Sequence, residues 1–166
     1  MKSFFRIINN ICNEYKKVAM FVDMDGTINE YTIYVDDKIL TQMGENYNKA
    51  KPIEEIINTL EKISKINNID IYILSLSKNQ KITEEKKIWL KKYTEFIPEK
   101  NWIILTKENG DYDHNNRNQI KSLKMKEKLN QYDHVIFLDD DHIILKETNR
   151  MLKEKVSSFH VTSALV

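Results

Sequence analysis

Val18-Ala19-Met20-Phe21-Val22-Asp23-Met24-Asp25-Gly26-Thr27 reads as a buried strand that runs straight into charge. Five apolar residues in succession, with no polar alternation, suit a strand covered on both faces. They end in two carboxylates spaced one residue apart, then a glycine and a hydroxyl. A buried strand rarely ends in uncompensated charge without a purpose, so this turn is the first candidate for chemistry.

Similar apolar runs occur at 69–74, 102–105 and 135–138, and a weaker one at 158–162. Helical stretches separate them. The alternation predicts an α/β fold: a Rossmann-like, doubly wound, mainly parallel five-stranded sheet with helices on both faces. One helix is expected from Pro52, with Ile53, Ile56, Ile57, Leu60, Ile63 and Ile66 on one face and Pro52 in the first turn, where no amide donor is needed. A second is expected to begin at Thr83 as its cap, with Ile88, Trp89 and Phe96 inward. A third runs from about Asn116 to Leu129 with Ile120, Leu123 and Met125 inward, its lysines forming a solvated face.

The chain has 166 residues, three glycines and two prolines, with no linker-like stretch and no repeat, which predicts a single domain over 1–166. Residues 1–17 read as an amphipathic helix that carries Phe4, Phe5, Ile7, Ile8, Ile11, Cys12 and Tyr15, packed on the domain or forming a homodimer with a second copy. No apolar run is long enough for a membrane span or a secretion signal, so no membrane partner is expected. Basic and acidic side chains number 26 and 25, which gives no basis for general nucleic-acid binding. The lone Cys12 excludes an intrachain disulfide and a thiolate zinc cluster, and suits a cytoplasmic location.

Ligands of open α/β sheets collect at the carboxyl ends of the strands. There the sequence sets Asp23 and Asp25 after the first run, Ser75 after the second, and Asp139, Asp140 and Asp141 after the fourth. Carboxylates gathered in a partly dry cleft repel one another, and a divalent cation relieves that repulsion. Every candidate ligand is an oxygen, and His114, His134, His142 and His160 follow no metal-ligand spacing, so Mg2+ is expected rather than zinc.

Asp-x-Asp-Gly-Thr after a first strand, a serine after the second and an Asp-Asp pair after a later one resemble the haloacid dehalogenase superfamily, from about Val18 onward. The resemblance implies a phosphatase in which Asp23 is the nucleophile and Asp25 the general acid and base. It implies Mg2+ bound by Asp23, the backbone carbonyl of Asp25, and Asp140, with Asp139 acting directly or through water. Asp141 either joins them or caps the following turn. Gly26 would let the chain turn sharply beneath the phosphate, and the Thr27 hydroxyl would hydrogen-bond to orient the neighbouring aspartate. Ser75 would bond the phosphoryl group, with Ser77 as competitor. The basic residue of the site is Lys107, Arg117 or Lys121: Lys121 has the residue type usual in the family, Arg117 better matches the expected spacing to Asp140, and Lys107 directly follows the third strand.

Residues 28–51 leave room for only a small cap, expected as a hairpin over 30–36 and a short helix over 39–47, with Tyr31 and Tyr34 available to stack on a base. The segment from Glu84 to Lys107 is similar to bacterial and phage relatives of the 5′(3′)-deoxyribonucleotidases, which implies a nucleoside monophosphate substrate. Alternatives are a phosphatase of a larger substrate, such as a nucleic-acid end or phosphoprotein, a non-catalytic binding module, and a receiver domain. A receiver carries its acid pair early, whereas here the pair is late.

Overall fold

In the computed structural model, which describes residues 3–30 and 47–165, five strands form one sheet in the order β3-β2-β1-β4-β5. They are β1 (Val18–Val22), β2 (Ile69–Ser77), β3 (Trp102–Thr106), β4 (His134–Asp139) and β5 (Val156–His160), and every pairing is parallel. The five expected strands are all present. β2 extends beyond the expected end at Leu74, and β5 starts before Ser158.

The central strand explains the layering. Val18, Met20 and Val22 point into one core, with Phe4 and Ile8 of α1 (Phe4–Glu14), Ile56 and Leu60 of α2 (Glu54–Ile63) and Trp89 of α3 (Gln80–Tyr93). Ala19 and Phe21 point into the other, with Ile120 and Met125 of α4 (Ile120–Lys128) and Ile144 and Leu145 of α5 (His142–Leu152). Each large apolar side chain buried this way contributes about 1.5–3 kcal/mol, so a polar residue on either face of β1 would be costly. The apolar stripe of α1 is used within the chain, and burial pushes the Cys12 thiol up to about 11, which leaves it unreactive.

Helix starts depart from expectation for identifiable reasons. Pro52 lies outside α2 in a short antiparallel bridge with Asn29, while Ile53 donates its amide to Ile28 and occupies the cap. The two ends of the 28–51 insertion are thereby zipped together. α3 begins at Gln80 rather than Thr83, because Asn79 Oδ1 accepts the Ile82 amide at 2.9 Å and Glu108 accepts that of Gln80 at 2.8 Å. Thr83 is buried inside the helix and bonds Thr106. Ile88 points outward, 60% exposed, and Leu123 of α4 also faces solvent. Lys86 and Lys121 take inward positions instead.

The expected hairpin over 30–36 and helix over 39–47 fall almost wholly outside the described residues, as do Tyr31 and Tyr34. Among the described residues no helix is long and apolar enough to cross a membrane. The strand order reverses between β1 and β4, which sets the ligand crevice at their carboxyl ends. A receiver sheet runs 2-1-3-4-5, so this order removes the receiver reading.

Candidate active site

Register places the first pair of acids. Val22 pairs with Leu138 and the Asp23 amide donates to the Leu138 carbonyl at 3.0 Å, so Asp23 and Asp139 leave adjacent strands side by side. Lys121, on the first turn of α4 and 2% exposed, bridges them: Nζ donates to Asp23 Oδ1 at 2.7 Å and to Asp139 Oδ2 at 2.6 Å. Burial alone would lower the Lys121 pKa, but the charges of Asp23 and Asp139 hold it above its ordinary value. Burial pushes the Asp23 carboxyl up to about 7. Lys121 opposes that shift, and Asp139 and Asp25 add to it.

Asp140 completes the cluster. One carboxylate oxygen from each of Asp23, Asp139 and Asp140 lies within 4.8 Å of the others. Asp139 has both oxygens engaged, since the Asp141 amide donates to Oδ1 at 2.8 Å. Asp140 is half-buried, and desolvation followed by the neighbouring Asp139 charge raises its pKa. Four carboxylates, counting Asp25, meet two ammonium groups, an excess of two negative charges that one divalent cation matches. An all-oxygen donor set of this kind fits Mg2+.

Gly26 has φ +74°, and a β-carbon there would collide with the Asp140 carboxylate. Gly26→Ala is therefore expected to displace Asp140 and weaken Mg2+ binding by at least about 10-fold, beyond the 1–2 kcal/mol typical of left-handed backbone strain. Calorimetric Mg2+ titration checks this, and wild-type affinity in the variant would contradict it.

A second cation, unexpected from the sequence, holds the other acid. Lys86 on α3 is 1% exposed, and its Nζ donates to Asp25 Oδ2 at 2.7 Å, Ser75 Oγ at 2.8 Å and the Leu76 carbonyl at 2.8 Å. Tyr47 donates to Asp25 Oδ1 and receives a bond from Asn29. Burial would raise the Asp25 carboxyl, but the Lys86 charge and these hydrogen bonds hold it below the usual carboxylate value. The signal was present in sequence: Thr83, Lys86, Trp89 and Leu90 share one helical face, and a lysine inside such a stripe demands a buried partner.

The remaining candidates separate cleanly. Ser75 lies within β2 rather than after it, fully buried; Lys86 uses one of its lone pairs and leaves its hydroxyl proton to donate. Ser77 donates to the Asn79 carbonyl at 3.0 Å and closes the turn into α3. Contrary to expectation, the Thr27 hydroxyl orients no aspartate; it is buried with no hydrogen-bond partner among the described residues. Arg117 does not join the cluster, because its side chain is 49% exposed and contacts Asp141 at 3.5 Å. Lys107 instead meets His114 at 2.8 Å on the surface. Asp141 caps α5 by accepting the amides of Ile143 and Ile144, and none of the four histidines joins the carboxylate cluster.

Solved structures share this architecture. The HAD domain of effector protein Lem4 from Legionella pneumophila superposes with a TM-score of 0.52 at 17% identity, covering 87% of each chain. A haloacid dehalogenase-like hydrolase from Burkholderia xenovorans gives 0.56 at 13%, covering 86% of this chain and 82% of the other. The chain has the haloacid dehalogenase fold. A class C acid phosphatase from Bacillus anthracis, solved with tungstate bound, has that fold too: TM-score 0.54, 15% identity, 94% of this chain and 72% of that one. No protein-family model matches the sequence, and no curated protein matches it by sequence.

On this haloacid dehalogenase fold, Lys86 is expected to set the working pH of Asp25. In Lys86→Met the Asp25 carboxyl loses its cation and keeps its proton to higher pH, so the pH–rate optimum moves upward and kcat falls about 10²-fold. An unshifted profile would contradict the role.

Proposed function

We propose that this protein is a magnesium-dependent phosphomonoester hydrolase that works through an aspartyl-phosphate on Asp23, with nucleoside monophosphates as its substrates. The observation that carries the reading is the pairing of each central acid with its own buried lysine, Asp23 with Lys121 and Asp25 with Lys86. Asp23 attacks phosphorus, and the bond to the leaving oxygen breaks as Asp25, protonated when the anionic ester is bound beside it, gives that oxygen a proton. Asp25 then takes a proton from water, whose oxygen attacks phosphorus and releases inorganic phosphate and the Asp23 carboxylate. Ser75 and Lys121 hold the phosphoryl oxygens during transfer.

Magnesium, held by Asp23, Asp140 and the Asp25 carbonyl, would supply charge neutralisation between the phosphate and the acids. Asp25 supports phosphoryl transfer over carbon–halogen cleavage, since the dehalogenase branch of the superfamily lacks this second acid. The nucleotide assignment is supported by the similarity of the segment from Glu84 to Lys107 to deoxyribonucleotidases. Its tryptophans serve packing: Trp89 is buried and donates to the Ala50 carbonyl at 2.9 Å. The test is a panel of mononucleotides, sugar phosphates and 3′- or 5′-phosphorylated oligonucleotides with and without Mg2+. Mononucleotides are expected to turn over fastest. Faster turnover of oligonucleotides would refute the nucleotide assignment, and no turnover of any ester would refute the enzyme.

A further inference from the structure

Asp140 is constrained from two sides. Gly26 leaves room for its carboxylate, and on the other side its backbone carbonyl meets a ring nitrogen of His160, Nε2, at 3.1 Å. Parallel register explains the meeting, because Asp139 pairs with His160 and both strands end at the crevice. The tautomer follows from the second ring nitrogen. His160 Nδ1 lies 3.3 Å from the Thr162 amide, which can only donate, and 2.9 Å from the Thr162 hydroxyl. Nδ1 is therefore an acceptor, the ring proton sits on Nε2, and Nε2 donates to the Asp140 carbonyl. His142, the first residue of α5, stacks on the same ring with centroids 4.4 Å apart and planes 6° from parallel.

We infer that His160 is a positioning residue for the cation site, clamping the Asp140 main chain so that its carboxylate is presented to a divalent metal. The inference rests on the metal-dependent reading above. Asp140 lies between the end of β4 and the α5 cap, in a bend outside both elements. Asp139 and Asp141 are each tied down by their own side chains, through Lys121 and through the α5 amides. Among the described residues no other residue's hydrogen bond tethers the Asp140 side chain, which must stay open for the cation, so the carbonyl is the handle by which the fold aims it. Hydrogen-bond partners behind a ligating carboxylate orient it in this way, and their loss typically weakens metal affinity about 10- to 100-fold.

The experiment is calorimetric titration of the full chain with Mg2+, repeated with Mn2+, on wild type, His160→Phe, His160→Leu and His160→Gln. Phenylalanine keeps a ring against His142 and lacks the donor. Leucine also lacks the donor and answers the question if the phenylalanine variant does not fold. Glutamine restores an N–H. Affinity about 10-fold weaker or worse in the Phe or Leu variant, mostly recovered in Gln, with metal-free melting temperatures unchanged, is the expected result. Wild-type affinity in the folded Phe or Leu variant would overturn the role of His160 while leaving the metal site intact. Absence of binding to wild type itself would overturn the metal-dependent reading and this inference together.

Discussion

Asp23→Asn is expected to lower phosphatase turnover by about 10⁴-fold or more, equivalent to roughly 5.5 kcal/mol of transition-state stabilisation, while the fold stays intact. Asparagine keeps the shape of the side chain but cannot form the acyl-phosphate bond. The substitution also has a thermodynamic signature. Burial holds the Asp23 carboxyl near 7 in the metal-free protein, whereas an unfolded aspartate gives up its proton near pH ~4. Between those values the folded chain binds the extra proton, so raising the pH progressively costs folded-state stability. Mg2+ favours the ionised carboxylate. Its addition should therefore raise the melting temperature more at about pH 8 than at about pH 6, and Asp23→Asn should shrink that difference to what Asp140 contributes. Turnover within tenfold of wild type, or a metal effect independent of pH in the parent protein, would contradict the assignment.

Lys121→Met is expected to destabilise the protein by about 3–5 kcal/mol near neutral pH and to reduce kcat by about 10²- to 10³-fold. Lys121 is the buried cation that Asp23 and Asp139 share, at 2.7 and 2.6 Å, and its removal leaves both carboxylates facing Asp140. The loss should shrink as the pH falls, because freed carboxyls take up protons in place of the missing ammonium. Saturating Mg2+ should recover part of the stability and little of the rate, since a metal can offset charge but cannot replace the hydrogen bond to the phosphoryl oxygens. Urea unfolding at two pH values, with and without Mg2+, measures this. Unchanged stability would mean that the buried bridge contributes nothing.

The sheet was legible because each strand is a short apolar run ending in polar residues, and β1 spans the residues its composition suggests. The acids were legible for the same reason: register alone brings Asp23 beside Asp139 once β1 and β4 are neighbours. What sequence could not rank was the basic residue. Lys121, Arg117 and Lys107 are equivalent as charges, and only the helical phase of α4 turns Lys121 inward while the loop before it leaves Arg117 against Asp141. Lys86 was hidden by its neighbours, since Glu84, Glu85 and Lys87 make the segment resemble an ordinary solvated face. Thr83 misled as a cap because Asn79 and Glu108 supply the α3 end from outside the periodic stretch, the latter from the turn that follows β3. The His160 contact depends on two chain segments meeting at the sheet edge, which no local pattern records.

The central claim is that Asp23 carries the phosphoryl group during turnover. The most direct measurement is borohydride trapping: the enzyme is quenched during turnover of an aryl phosphate with Mg2+, reduced, and mapped by peptide mass spectrometry. An aspartyl-phosphate is reduced to homoserine, so the account predicts homoserine at position 23, dependent on both substrate and Mg2+. Trapping at another residue, or turnover with no modified residue at all, would contradict it.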